Sequence, residues 1–232
     1  MKSSEIIEQK KRGPGKGKLK SDRSRAAILA AATKEFSQKG FDGARVDQIA
    51  LRSKVNKNSI YMYFGNKDAL FLAVLESAYL KLREAQDDLH VLTLDPIVGI
   101  HEFVRSTFRG FLAAPELISL AVSENVHRGS HLKTSPNIKQ LYNRIPATLD
   151  QLYKRGLQIG QFRPGIDMIE LYVSIVSICS YHISNQHTLS ILLQTNLMTE
   201  KRLDLREQNV ATMILRHICV DPERASVSNL NN

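Results

Sequence analysis

Between residues 22 and 88 the apolar side chains recur at three- and four-residue spacing in four runs, and the two middle runs are short. The first run carries Ile28, Leu29, Ala32 and Phe36, with Asp22 as its N-cap and Gly40 as its stop. The second covers about 46–52 and turns Val46, Ile49 and Ala50 inward. Ser53-Lys54-Val55 predicts a turn. A third helix follows over about 57–64, capped by Asn56 and broken at Gly65-Asn66. The fourth starts at Lys67, runs to about 88 and buries Leu70, Phe71, Val74, Leu75 and Ala78. Two short helices with a three-residue turn, braced by a longer helix on each side, are the parts of a helix-turn-helix domain. The second of the short pair would lie in the major groove of DNA.

Beyond residue 94 only longer helical patterns follow. Asp95-Pro96 starts a helix that runs to 113, with proline at the first position, and Pro115 opens the next. Residues 129–136 read as a loop, 137–159 as a helix kinked at Pro146, and 160–165 as a connector. Helices over about 166–184 and 200–219 complete the pattern. There is no internal repeat and no convincing period-two strand, so the expected fold class is all-α. The expected divisions are a disordered basic arm at 1–20, a helix-turn-helix domain at 21–66, a linking helix and helical effector-binding and dimerisation domain at 67–220, and a frayed tail at 221–232.

The balance of charge separates these parts. Residues 1–70 carry 16 Lys and Arg against 7 Asp and Glu, whereas 71–232 carry 16 of each sign. The whole formal excess of +9 therefore lies in the first third. A basic domain on a neutral one suggests a polyanion-binding module. The arm, with Lys10, Lys11, Arg12, Lys16, Lys18 and Lys20 around Gly13-Pro14-Gly15, cannot bury apolar surface by itself. Two roles stay open for it: lying along DNA, or an inert soluble tail. No apolar stretch follows the charged N-terminus, and the apolar run 168–183 is broken by Ser174, Ser177 and Ser180. It is too short for a span of roughly 20 residues. The chain is expected to be cytoplasmic, with no membrane partner.

The third helix explains how DNA would be read. Ile60, Tyr61 and Phe64 supply packing, while Lys57, Asn58, Ser59 and Tyr63 place donors and acceptors at its N-terminal end and outer face. Lys67 sits in the first turn of a helix, where the dipole disfavours a cation unless an anion binds nearby. It reads either as a phosphate contact or as a solvated lysine.

Residues 25–72 resemble the DNA-binding domain of the TetR family of repressors. The shared features are Ile28, Ala31-Ala32, Phe36, Gly40-Phe41, Val46, Ile49-Ala50, Val55, Tyr61 with Phe64, and Lys67 with Leu70. The resemblance implies a homodimer whose recognition helices enter the major grooves of a partly palindromic double-stranded operator. By position it implies base contacts from Lys57 and Asn58, and phosphate contacts from Arg45, Asn56, Ser59, Tyr61, Tyr63 and Lys67. Three departures matter. Arg45 stands where Thr or Ser often caps the second helix, and arginine caps poorly. Lys54 occupies a turn position that often carries Gly or Asn, which strains a lysine if φ is positive. Asn58 stands where glycine is common, so the family's base specificity does not carry over.

The second domain holds no phosphate loop, metal spacing or nucleophile elbow, so no enzyme, cofactor or metal is expected. Cys179 and Cys219 read as two reduced core thiols. The histidines (90, 101, 127, 131, 182, 187 and 217) read as surface or satisfied-core residues. The resemblance implies that this domain binds a small-molecule effector. Candidate liners are Phe103, Thr107, Phe111, Tyr142 and Tyr172, each of which also reads as plain core. The helix at 166–184 is apolar almost all round, and the last helix carries Leu203, Val210, Met213, Ile214 and Ile218 on one face. Together they either build a four-helix dimer interface or complete the monomer core. The main reading is a one-component, effector-released transcriptional repressor. The alternative is an architectural or nucleoid-associated protein of the same fold without an effector.

Overall fold

Side-chain caps set where five of the helices begin. The computed structural model describes residues 16–84 and 88–225. The helices are α1 (Lys16–Gly43), α2 (Val46–Ser53), α3 (Lys57–Phe64), α4 (Lys67–Glu84), α5 (Asp88–Val91), α6 (Pro96–Ala113), α7 (Pro115–Val126), α8 (Pro136–Gln158), α9 (Met168–Ser184), α10 (Gln186–Leu192) and α11 (Glu200–Ile218). Asn56, Asp95, Ser135 and Asp167 each accept a backbone N–H from the first turn of the helix they precede. Asn66 does the same for α4, accepting from Ala69 at 2.8 Å. Among the described residues there is no strand, only one antiparallel bridge between Phe162 and Cys219. The fold is all-α.

Helix boundaries differ from expectation where no buried stripe marks them. α1 begins at Lys16, ahead of Asp22, and includes the last residues of the basic arm; residues 1–15 of that arm lie outside the described residues. Periodicity marks where a helix starts to bury a face, and Leu19 and Lys20 just before Asp22 are exposed. Pro136 sits at the first position of α8 rather than in the preceding loop, because Ser135 caps it. α8 continues through Pro146. α10 was not anticipated, since Ile191 and Leu192 remain exposed and give it no inward stripe. In the tail, Pro222–Ala225 forms a short 3₁₀ turn, and 226–232 lie outside the described residues.

Two packing centres merge into one core. In the N-terminal part Ile28, Ala32, Phe36, Ile49, Ile60, Leu70 and Phe71 are buried together. In the C-terminal part α6 is the central helix, packed on α4, α5, α7, α8, α9 and α11. Ile100, Phe103, Val104 and Phe108 are its buried face. Gly156 of α8 lets the Phe162 ring lie against the helix backbone, where any Cβ would collide with it. α4 enters both centres and is the covalent link between them.

Candidate nucleic-acid interface

Gly40 breaks the end of α1 at φ 67° and ψ 178°, a conformation open to glycine, and the chain turns there toward α2. Arg45 precedes α2 but offers no side-chain cap, as expected for arginine. The start of α2 is held from elsewhere: Glu35 of α1, 3% exposed, accepts the Arg45 N–H at 3.3 Å and lies 3.5 Å from the Arg52 guanidinium. This buried carboxylate was not singled out in the sequence, where it looks like any charged residue of an amphipathic helix. Its position one residue from buried Phe36 is the signal that was available.

The turn into α3 has the strained form. Lys54 adopts φ 57° and ψ 27°, the left-handed region where a lysine is uncommon. Asn56 then caps α3, its Oδ1 accepting the Ser59 N–H at 2.7 Å. Ile60 is the buried anchor of α3, while Lys57, Asn58, Tyr61 and Met62 are exposed on the opposite side. Tyr63 and Phe64 are half-buried against the core, and the Arg25 guanidinium lies 5.1 Å from the Phe64 ring centre. The expected base-reading and phosphate-contacting residues therefore fall into two groups. Arg45, Asn56, Lys57, Asn58 and Tyr61 are on the surface; Ser59 and Tyr63 are partly covered.

Two of the lysines expected to meet DNA are engaged within the protein. Lys57 Nζ lies 2.8 Å from Asp47 Oδ1, a contact that raises the lysine pKa chiefly through the hydrogen bond and the carboxylate charge. The pair is exposed, so it positions the ammonium at the N-terminal end of α3 more than it stabilises the fold. Lys67 Nζ donates to the Asp42 carbonyl at 3.3 Å and sits 4.8 Å from the Phe41 ring centre. Both contacts hold the ammonium beside the Gly40 turn at the α4 N-terminus.

The C-terminal candidates lie apart from this surface. Phe103, Thr107 and Phe111 are buried along one side of α6, and the Thr107 hydroxyl donates to the Phe103 carbonyl at 2.8 Å. Tyr172 of α9 is half-buried, and burial pushes its hydroxyl up to about 12. Arg83 and Tyr79 of α4 act on it electrostatically. The side chain of Tyr142 lies outside the described residues. Arg83, only 8% exposed, was missed in the sequence because a basic residue near a helix end reads as solvated. His131 and His182, each 8% exposed, are satisfied core histidines: His131 contacts Glu124, and His182 Nε2 lies 3.0 Å from the Leu197 carbonyl. Among the described residues no cluster of metal-ligating side chains occurs, and no helix is long and apolar enough to cross a membrane.

A helix-turn-helix braced by α1 and α4, carried on a larger helical part, defines a one-component DNA-binding regulator. The chain belongs to the TetR family: residues 28–74 match the family model for bacterial regulatory proteins of the tetR family, and residues 96–214 match the tetracyclin repressor-like C-terminal domain. It is 36% identical over 176 residues to the HTH-type transcriptional repressor NicS of Pseudomonas putida, covering 76% of this chain and 83% of that protein. It is 32% identical over 155 residues to the HTH-type transcriptional repressor SCO4008 of Streptomyces coelicolor, covering 66% and 77% respectively. Two solved structures share the fold at 21% identity. A TetR regulator from Chloroflexus aurantiacus superposes with a TM-score of 0.65 over 88% of this chain and all of that one. PfmR from Thermus thermophilus superposes with a TM-score of 0.62 over 82% and 97%. The family is one of transcriptional regulators, not of enzymes.

Proposed function

We propose that the protein is a homodimeric repressor that binds a partly palindromic operator and is released by a small-molecule effector. The observation that carries the DNA reading is the exposed N-terminal end of α3, where Lys57 and Asn58 stand clear of a helix anchored by Ile60. Those two residues read base edges, and Arg45, Asn56, Ser59, Tyr61, Tyr63 and Lys67 contact phosphates. Both relatives described above are transcriptional repressors by name, which supports repression.

The dimer reading rests on α9 and α11. Ile169, Val173 and Tyr181 follow at multiples of four on α9 and are 50–67% exposed, while Leu171, Ile175 and Cys179 fill the core. On α11, Leu205 and Met213 are exposed opposite buried Val210, Ile214 and Ile218. The apolar face expected from the sequence is thus divided: Val210, Ile214 and Ile218 fill the core, and Met213 lies at its exposed edge. A second copy covering these stripes forms a four-helix interface. The effector is held in the C-terminal part, near Phe103, Thr107, Phe111, Tyr142 and Tyr172. It favours a state whose recognition helices no longer match half-sites about 34–36 Å apart.

The test is binding of the full chain to DNA from upstream of its own gene across a range of salt. A sequence-specific complex whose log affinity falls linearly with log salt is expected. Binding no stronger than to random duplex overturns the reading.

A further inference from the structure

The DNA-binding part is joined to the rest of the protein in two places. One is α4 itself. The other is a polar joint where the end of α7 and the loop after it meet the Gly40 turn and the first turn of α4.

Glu124 of α7 is at the centre of that joint. It is 2% exposed, and its Oε1 accepts the backbone N–H groups of His131 and Leu132, both at 2.9 Å. Its Oε2 lies 2.7 Å from His131 Nδ1, so that nitrogen donates to the carboxylate. A buried carboxylate needs such donors, and the loop supplies three of them. Arg128 and Gly129, at φ 57° and 70°, fold the chain back so that His131 can reach Glu124. The far nitrogen of the same ring, Nε2, lies 3.5 Å from Asp68 Oδ1 in the first turn of α4. The ring also packs against Phe41 and Phe71, with centroids 4.7 and 4.9 Å away.

Phe41 is held from the same side. Its N–H donates to Ser123 Oγ at 2.9 Å, and neighbouring Asp42 lies 3.4 Å from His127 Nε2. One carboxylate and one imidazole therefore connect α7, its loop, the Gly40 turn and α4. A single linking helix leaves a domain free to swing, and a second attachment fixes its angle. α3 follows directly in the braced unit, so that angle sets where each recognition helix points.

We infer that Glu124 and His131 are positioning residues for operator recognition, fixing the angle of the DNA-binding part and hence the half-site separation the dimer accepts. This inference rests on the dimeric operator reading above. Neither residue lies on the exposed face of α3, so neither contributes to reading a single half-site.

The experiment uses the full chain and duplexes carrying two half-sites whose separation changes one base pair at a time, with a single half-site duplex beside them. Affinities are read by fluorescence anisotropy. The wild type should show one preferred separation. His131→Ala and Glu124→Gln should each weaken binding at that separation by about tenfold and flatten the dependence, while half-site affinity stays within about twofold. Asp68→Asn, a change at an exposed carboxylate, removes the charge that faces His131 from α4 while leaving the ring packed on Phe71, and should flatten the dependence in part. An unchanged separation profile in His131→Ala or in Asp68→Asn overturns the inference. So does an equal loss on the single half-site, which marks a general defect of the domain. A wild type with no preferred separation overturns the operator reading itself, whatever the variants do.

Discussion

In the first seventy residues every formal charge in excess is positive, the core is a handful of large side chains, and the functional groups stand on the outside. From residue 71 onward the charges cancel, the core runs through six or more helices, and the exposed residues of note are apolar. The groups proposed above to meet DNA are mostly polar and cationic, so water covers them adequately when DNA is absent. The second region leaves Ile169, Val173 and Tyr181 in water unless another surface covers them. The difference matches the two roles proposed above: a polar, cationic surface suited to reversible association with a polyanion, and an apolar stripe suited to lasting cover by a second copy.

The largest effect should come from the smaller core. Phe36 is fully buried and meets the Phe71 ring edge-on at 4.9 Å. Phe36→Ala should cost about 3–5 kcal/mol. A thermal melt followed by circular dichroism checks this, and an unchanged midpoint would show that the N-terminal core does not depend on that ring. Next comes the apolar stripe. Val173→Lys with Tyr181→Lys should leave a folded monomer by analytical ultracentrifugation and lower operator affinity by roughly a hundredfold, since two linked half-site contacts become one. A double variant that still sediments as a dimer places the interface elsewhere.

Smaller changes separate reading from positioning on the DNA side. Lys57→Ala should alter base preference at one position per half-site by roughly tenfold. Lys67→Ala should instead weaken all sequences about equally. A base-specific effect of the second, or a uniform effect of the first, reverses the two assignments. The smallest effect concerns pH. Burial lowers the His182 pKa below its ordinary value of 6.5. The unfolded chain therefore takes up a proton more readily than the folded one as pH falls through that value, and stability declines on the acid side. His182→Gln should reduce that decline in melts taken from pH 7.5 to 5.5; a decline of the same steepness assigns it to other groups.

How much was legible differs between the regions for the same reason that their surfaces differ. Gly40, the Asn56 cap, the inward set Ile28, Ile49 and Ile60, and the strained Lys54 are consequences of local spacing and backbone preference, and the sequence displays them. Arg83, Glu124 and His131 are polar residues on amphipathic helices or loops, and nothing adjacent in sequence marks them as buried; for Glu35 the neighbouring Phe36 is the one local sign. His131 reaches Asp68 across sixty-three positions, and Phe41 reaches Ser123 across eighty-two. Likewise the sequence left open whether the apolar face of α11 fills the core, and packing on α6 and α9 is what buries Val210 and Ile214 while leaving Met213 exposed.

The sequence by itself determined that the fold is all-α, that the first third is basic, and that a short helix beginning near Lys57 is presented by a turn at Ser53–Val55. Each of these follows from hydrogen bonds and side-chain spacing within a few residues. Only the tertiary structure decided which charges are buried, which apolar faces remain uncovered, and how the DNA-binding part is fixed to the rest. Burial is a property of neighbours in space, and the neighbours that bury Glu124 and His131 come from α4, α7 and the Gly40 turn at once.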